Sequence, residues 1–152
     1  MGTMLQKMGT DTSDIEKLSE GVYFVHKQYI DAGADIITTN TFTANEGADI
    51  RERNLRFASI ARQAADVWRE RKIYVAGDIG PTSKTLTMDP DASFDKMQKN
   101  YREQIEALKD GGVDLLLFET FFDTLNLKAA LTVAGDIAPE LPKMISATIE
   151  KS

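Results

Sequence analysis

The sequence predicts an α/β fold of repeated βα units laid around a parallel sheet, and three observations carry that prediction. One segment occurs twice. Ala32-Gly33-Ala34-Asp35-Ile36-Ile37-Thr38-Thr39-Asn40-Thr41-Phe42 returns as Gly111-Gly112-Val113-Asp114-Leu115-Leu116-Leu117-Phe118-Glu119-Thr120-Phe121. Each copy reads as a helix end, a Gly turn and a buried strand running out into polar residues. Gly suits the left-handed position past a helix end, and a short apolar run without strict alternation suits a strand covered on both faces. The copies lie roughly 80 residues apart, about twice the length of one βα unit. Finally, helical spacing and short apolar runs alternate along the whole chain, which implies parallel strands joined by right-handed crossovers.

The elements follow in order. Ser13 is positioned to cap a helix from about Ile15 to Ala32, which Gly33 ends. Its apolar stripe is Ile15, Leu18, Val22, Val25, Tyr29 and Ile30. A strand covers about Asp35 to Thr41, then a loop from Thr43 to Gly47, then a helix to about Arg71. Phe57, Ile60, Ala61, Ala64, Ala65 and Trp68 form that helix's buried face. Ile73 to Gly80 reads as a strand leaving through Gly80-Pro81-Thr82 into a polar loop at Asp89-Pro90-Asp91. Ser93 caps the next helix, with Phe94, Met97, Tyr101, Ile105 and Leu108 on its stripe. Leu115 to Thr120 is the third strand. A helix with Leu127, Ala130, Leu131, Ala134 and Ile137 on one face follows, ended by Pro139 and Pro142. Met144 to Ile149 is the fourth strand.

Two architectures fit this order: an open doubly wound sheet, or part of a (β/α)8 barrel. A complete barrel takes about 250 residues. With 152 residues this chain is one domain by length and holds about four of the eight strands.

Composition narrows the function. Apolar residues make up 42% and charged residues 28%, the balance of a soluble globular protein. A net charge of -6 argues against a nucleic-acid surface. Arg51, Arg53 and Arg56 are interleaved with acids such as Glu52 and read as a solvated helix face. With no Cys, disulfides and thiolate metal sites are both excluded within the chain, and the single His26 builds no metal site alone. No run approaches the roughly 18 apolar residues of a membrane span. The start has no basic region followed by an apolar stretch, so a cytoplasmic protein is expected.

In parallel βα folds ligands bind at the carboxyl ends of the strands. By the repeat, Asn40-Thr41 and Glu119-Thr120 occupy equivalent places there, and Asp78 with Gly80-Pro81-Thr82 shares the edge. Glu119 stands out. A carboxylate between Leu115-Leu116-Leu117-Phe118 and Phe121-Phe122 enters an apolar neighbourhood, where an unpaired charge is costly. It either meets a ligand's ammonium, pairs with a neighbouring Lys, or caps the helix beginning after Asp123. Asn40 and Thr41 suit a ligand carboxylate or amino group, or else bond the following loop. Gly77-Asp78-Ile79-Gly80 lacks the spacing of a phosphate loop, and no nucleophile, base and orienting group come together.

Four segments then carry a resemblance: Met1 to Gln6, Gly33 to Phe42, Val75 to Thr82, and Phe118-Glu119-Thr120-Phe121-Phe122-Asp123-Thr124-Leu125-Asn126. In order and spacing they resemble the homocysteine-binding domain of cobalamin-dependent methionine synthase, within the wider group of homocysteine S-methyltransferases. The resemblance covers residues 1–152 as a single partial homocysteine-binding domain. It implies part of a (β/α)8 TIM barrel that binds homocysteine at the strand ends. It further implies a substrate thiolate on a zinc held by three cysteines, and a methyl group arriving from methylcobalamin, ultimately from methyltetrahydrofolate. Glu119 matches the acidic residue that holds the homocysteine amino group, and Thr39, Asn40 and Thr41 match a segment lining the same pocket.

The departures are as specific as the match. The family's first strand, ending in an Asp-Gly pair, precedes the Met-Gly-Thr segment that opens this chain. Its zinc cysteines lie on later strands, beyond Ser152. The chain is therefore expected to be a fragment that binds neither zinc nor cobalamin alone and is inactive alone. Its expected partners are homocysteine, the remaining half of the barrel and the cobalamin and folate modules, with no nucleic acid and no membrane. The alternative is a non-catalytic α/β binding or interaction module that keeps part of the pocket.

Overall fold

A computed structural model describes residues 1–84, 89 and 92–148. In chain order it contains α1 (Gly2–Lys7), α2 (Ile15–Asp31), β1 (Ile36–Thr38), α3 (Ile50–Val67), β2 (Tyr74–Ile79), α4 (Phe94–Asp110), β3 (Leu115–Phe121), α5 (Thr124–Ile137) and β4 (Lys143–Ala147). Ile149 of the expected fourth strand, and Pro90 and Asp91 of the expected loop, lie outside the described residues. The glycines expected in left-handed conformation are found there, Gly33 at φ 101° and Gly112 at φ 83°. No described helix is long and apolar enough to cross a membrane.

Strand order chooses between the two architectures. All described strands are parallel and run β1-β2-β3-β4 without reversal. A doubly wound sheet reverses its order at a switch point, whereas a barrel adds each strand beside the last with its helix outside. The chain is part of a (β/α)8 barrel.

The core lies on one side of this sheet. Ile37, Val75, Ile79, Leu116 and Phe118 meet Ala61, Ala65, Tyr101, Ile105, Leu108, Ala130 and Val133 of the helices, all at 4% exposure or less. A smaller cluster of Leu5, Val22, Val25 and Phe57 seats α1 on α2 and α3. The sequence gives α1 no signal, because it is a six-residue helix without a side-chain cap.

Several boundaries differ from expectation for identifiable reasons. Asp14, not Ser13, caps α2, accepting from the Glu16 and Lys17 amides at 3.0 and 3.2 Å; Ser13 instead bonds Asp11. Ile15 and Tyr29 lie off the buried face, which is Gly21, Val22, Val25, His26 and Ile30. His26 is fully buried there, and burial lowers its pKa to about 4. Helix α3 stops at Val67 although no breaker follows it. Arg71 leaves the helix to donate to the Ile30 and Ala34 carbonyls at the end of α2, at 3.1 and 2.9 Å, and pairs with Asp35. Trp68 therefore lies just past the helix end, half-buried and packed against the core as expected, with the Arg71 guanidinium over its ring.

The other face of the sheet is covered only in part: Ala76, Asp78 and Leu115 are buried there, but the rest is open. Ile36, Tyr74 and Met144, which alternation places opposite the helices, are 43%, 41% and 46% exposed. Strands β1 and β4 are the sheet's edges, where unpaired backbone groups invite association. The isolated chain is expected to self-associate in size-exclusion chromatography with light scattering, at a mass well above 16.9 kDa. Joint replacement Ile36→Lys and Met144→Lys is expected to restore the monomer. A wild-type monomer that melts cooperatively would contradict this.

Candidate functional site

Because the strands are parallel, the residues that leave them gather on one rim. From β1 come Thr39, Asn40 and Thr41; from β2, Asp78, Gly80 and Thr82; from β3, Glu119. The register sets Asp78 beside Leu117. Glu119 lies two residues on, on the same partly open face of β3.

The rim is built on a hydrogen-bonded ring between β1 and β2. The Asp78 amide donates to Thr39 Oγ1 at 2.9 Å, and Thr41 Oγ1 donates to the Asp78 carbonyl at 2.7 Å. The two hydroxyl oxygens are 2.6 Å apart. Since the Thr41 proton is used on the carbonyl, Thr39 donates to Thr41, and every donor of the ring is spent. Thr39 and Thr41, each 1% exposed, therefore clamp the backbone of Asp78. Asn40 between them is half-buried, and its side chain makes no hydrogen bond among the described residues.

Glu119 takes neither of the structural roles open to it from the sequence. Asp123 caps α5, accepting from the Leu125 and Asn126 amides. No Lys or Arg pairs with Glu119 among the described residues. Its neighbour is a second acid. The register puts Glu119 on the same face as Asp78, on the adjacent strand, and Asp78 is 6% exposed with an Oδ1 that has no hydrogen-bond partner among the described residues. Burial first, and Glu119 second, push the Asp78 carboxyl up to about 8; the Met1 ammonium acts weakly the other way. Sequence reasoning placed Asp78 on this edge but not in the site. The signal was its level, matching the polar ends of both repeat copies.

The backbone beyond Glu119 is strained. Thr120 has φ 63°, a left-handed conformation that costs a β-branched residue about 1–3 kcal/mol. The β3–β4 register slips there, Glu119 facing Ser146 and Phe121 facing Ala147. Such bulges re-aim side chains at strand ends.

A buried polar network holds the loops behind the rim. Gln104 Nε2 donates to the Thr41 carbonyl at 3.0 Å and to Asn54 Oδ1 at 3.2 Å. Asn54 Nδ2 donates to the Ala44 carbonyl, and Asn45 Nδ2 to that of Gly80. Tyr101 Oη accepts from the Thr82 amide and donates to Asn126 Oδ1, while Asn126 Nδ2 donates to Thr82 Oγ1. The sequence showed Tyr101 only as an apolar position on a helix stripe.

The zinc that the resemblance implies does not fit this rim. The chain has no Cys, and no three potential ligands come together among the described residues. Two carboxyls with no thiol are not a thiolate set.

The comparisons with known proteins agree with this fold. The family model described as homocysteine S-methyltransferase matches residues 1–152. The chain superposes on the homocysteine methyltransferase MmuM from Escherichia coli in its apo form with a TM-score of 0.81 and 25% identity, over 99% of this chain and 58% of that one. The metallated form gives 0.80 at 23% identity and the oxidized form 0.82 at 23%, covering 62% and 61% of those chains. The chain thus spans about three-fifths of the length of these relatives. Folded as consecutive parallel βα units with its polar groups on one rim, and matched from end to end, this chain belongs to the homocysteine S-methyltransferase family.

Proposed function

We propose that this chain forms the amino-acid-binding rim of a homocysteine methyltransferase barrel, with Glu119 receiving the substrate's ammonium. One observation supports the reading above the others: a carboxyl pair, Asp78 and Glu119, stands at the strand ends with no cationic side chain beside it among the described residues. An ammonium supplies the missing charge and up to three donors. Asn40, whose amide has no partner among the described residues, is suited to the substrate carboxylate. Thr39 and Thr41 serve the pocket from below, by fixing the Asp78 backbone.

The parent reaction is methyl transfer to the homocysteine sulfur. The four sequence segments favour methylcobalamin as the donor over other methyl donors of the family. Activation of the sulfur is assigned to no residue of this chain; zinc ligands and cobalamin and folate modules belong to other parts of the parent enzyme. What these residues do is bind and orient the amino-acid end, leaving the thiol to project along the partly open face.

Titration calorimetry with L-homocysteine tests the reading. Glu119→Gln keeps the shape and removes the charge, so binding is expected to weaken about 10- to 100-fold, the worth of a hydrogen bond to a charged group. Equal affinity of the variant and the parent chain would count against Glu119 as the anchor.

A further inference from the structure

We propose that Asp78 is the second carboxyl of the ammonium site: it holds one proton jointly with Glu119 in the free protein, and the entering ammonium displaces that proton. The inference rests on the reading of Glu119 given above and adds to it a residue, a specificity and a pH dependence.

The geometry leaves Asp78 little else to do. Its side chain is 94% buried, by the 6% exposure that remains, and its Oδ1 meets no donor. Its backbone is held on both sides by the threonine ring, at 2.9 and 2.7 Å, which fixes where the carboxyl leaves the strand. The charged groups acting on it are Glu119 from β3 and, in the opposite sense, the Met1 ammonium; β1 contributes only the hydroxyls of Thr39 and Thr41. An ionised carboxyl buried like that of Asp78, with a second acid on the next strand, is costly. One proton between them supplies the missing donor to Oδ1.

Charge balance then makes the exchange natural. With one shared proton the pair carries a single negative charge. With both carboxyls ionised around an ammonium, the sum is again a single negative charge. The proton leaves to solvent, no covalent bond changes, and the hydrogen bond lost between the acids is replaced by donors from the ligand. A site of this kind accepts a primary ammonium and rejects an N-acylated amino acid, which brings neither the charge nor the donors.

The test uses L-methionine, which carries the same amino-acid end without a thiol to titrate. Calorimetry at pH 7 in two buffers of different ionisation enthalpy is expected to show close to one proton released per methionine bound. The dissociation constant is expected to fall about tenfold per pH unit as pH rises toward 8. Asp78→Asn, which mimics the protonated acid, is expected to bind with no release and no such slope. A ligand-free readout runs alongside. The folded value of Asp78 lies above the unfolded one near 3.8, so the stability it lends is full below pH 3.8 and lost as pH rises through about 8. Asp78→Asn is therefore expected to flatten the melting-temperature profile between pH 4 and 8, and Glu119→Gln to shift its midpoint downward. Methionine binding without proton release, or an unchanged profile in both variants, overturns the exchange and leaves the substrate reading standing. No methionine binding at any pH overturns the substrate reading and the exchange together.

Discussion

Tyr101→Ala is expected to be the most damaging single substitution in this chain. The ring is fully buried between α4 and the sheet and lies against Phe121 with ring centres 6.4 Å apart. Removing an aromatic side chain from such a place costs about 3–5 kcal/mol, from lost burial and from the cavity left behind. The hydroxyl adds to this, since the Thr82 amide and Asn126 Oδ1 lose the partner they share. Burial raises the Tyr101 pKa above its usual value, so the hydroxyl stays a neutral donor throughout the physiological range. The melting temperature is expected to drop by about 10 °C or more, read by circular dichroism. Tyr101→Phe separates the two contributions. It keeps the ring and strands the polar partners, so a smaller loss of about 1–3 kcal/mol is expected. Equal loss in both variants would mean that the network, not the packing, dominates.

Gly80→Ala is expected to disturb the rim itself. A methyl group there would sit 2.6 Å from the Phe42 carbonyl oxygen and 2.6 Å from the Phe42 ring. The oxygen is backbone, already bonded to the Gly80 amide at 3.1 Å, so no rotamer change relieves the contact. The loop after β1 must move away from β2, carrying Thr41 and loosening the ring that clamps Asp78. Overpacking of this kind costs about 1–3 kcal/mol. Homocysteine affinity is expected to fall more than tenfold in calorimetry, while Gly135→Ala, where a methyl group meets nothing within 4 Å, leaves it unchanged. Unaltered affinity in Gly80→Ala would show that the two strand ends are not held in register by this contact.

The candidate site divides between what the sequence marks and what it hides. Glu119 was a candidate because an acid inside an apolar run is a local anomaly, visible without coordinates. Asn40 was a candidate because the repeat placed it level with Glu119. Thr41 looked like a ligand contact for the same reason and Thr39 through the family resemblance, yet their hydroxyls bond each other and the Asp78 backbone. Which side of a strand end a hydroxyl serves depends on what lies next to it across the sheet. Asp78 was visible as a member of the edge, but its abnormal proton affinity arises only from burial and from Glu119, a residue 41 positions away in the chain. Tyr101, Gln104 and Asn126 followed the helical period of core positions and gave no sign of the polar contacts they make.

Boundaries divide the same way. The Gly turns, the Ser93 cap and the apolar runs placed most elements, because those signals act within a few residues. Helix α3 ended early through a contact between Arg71 and the end of α2, which no local pattern encodes.

By itself the sequence determined the βα alternation, the parallel sheet and the edge where chemistry gathers, since periodicity and turn residues are short-range and written directly in the chain. Only the tertiary structure decided that the strands add in one direction, which face stays partly open, and that two acids from different strands share a place. Those outcomes depend on which side chains meet across strands and helices far apart in sequence, where burial and neighbouring charge, not residue type, set the behaviour of each group.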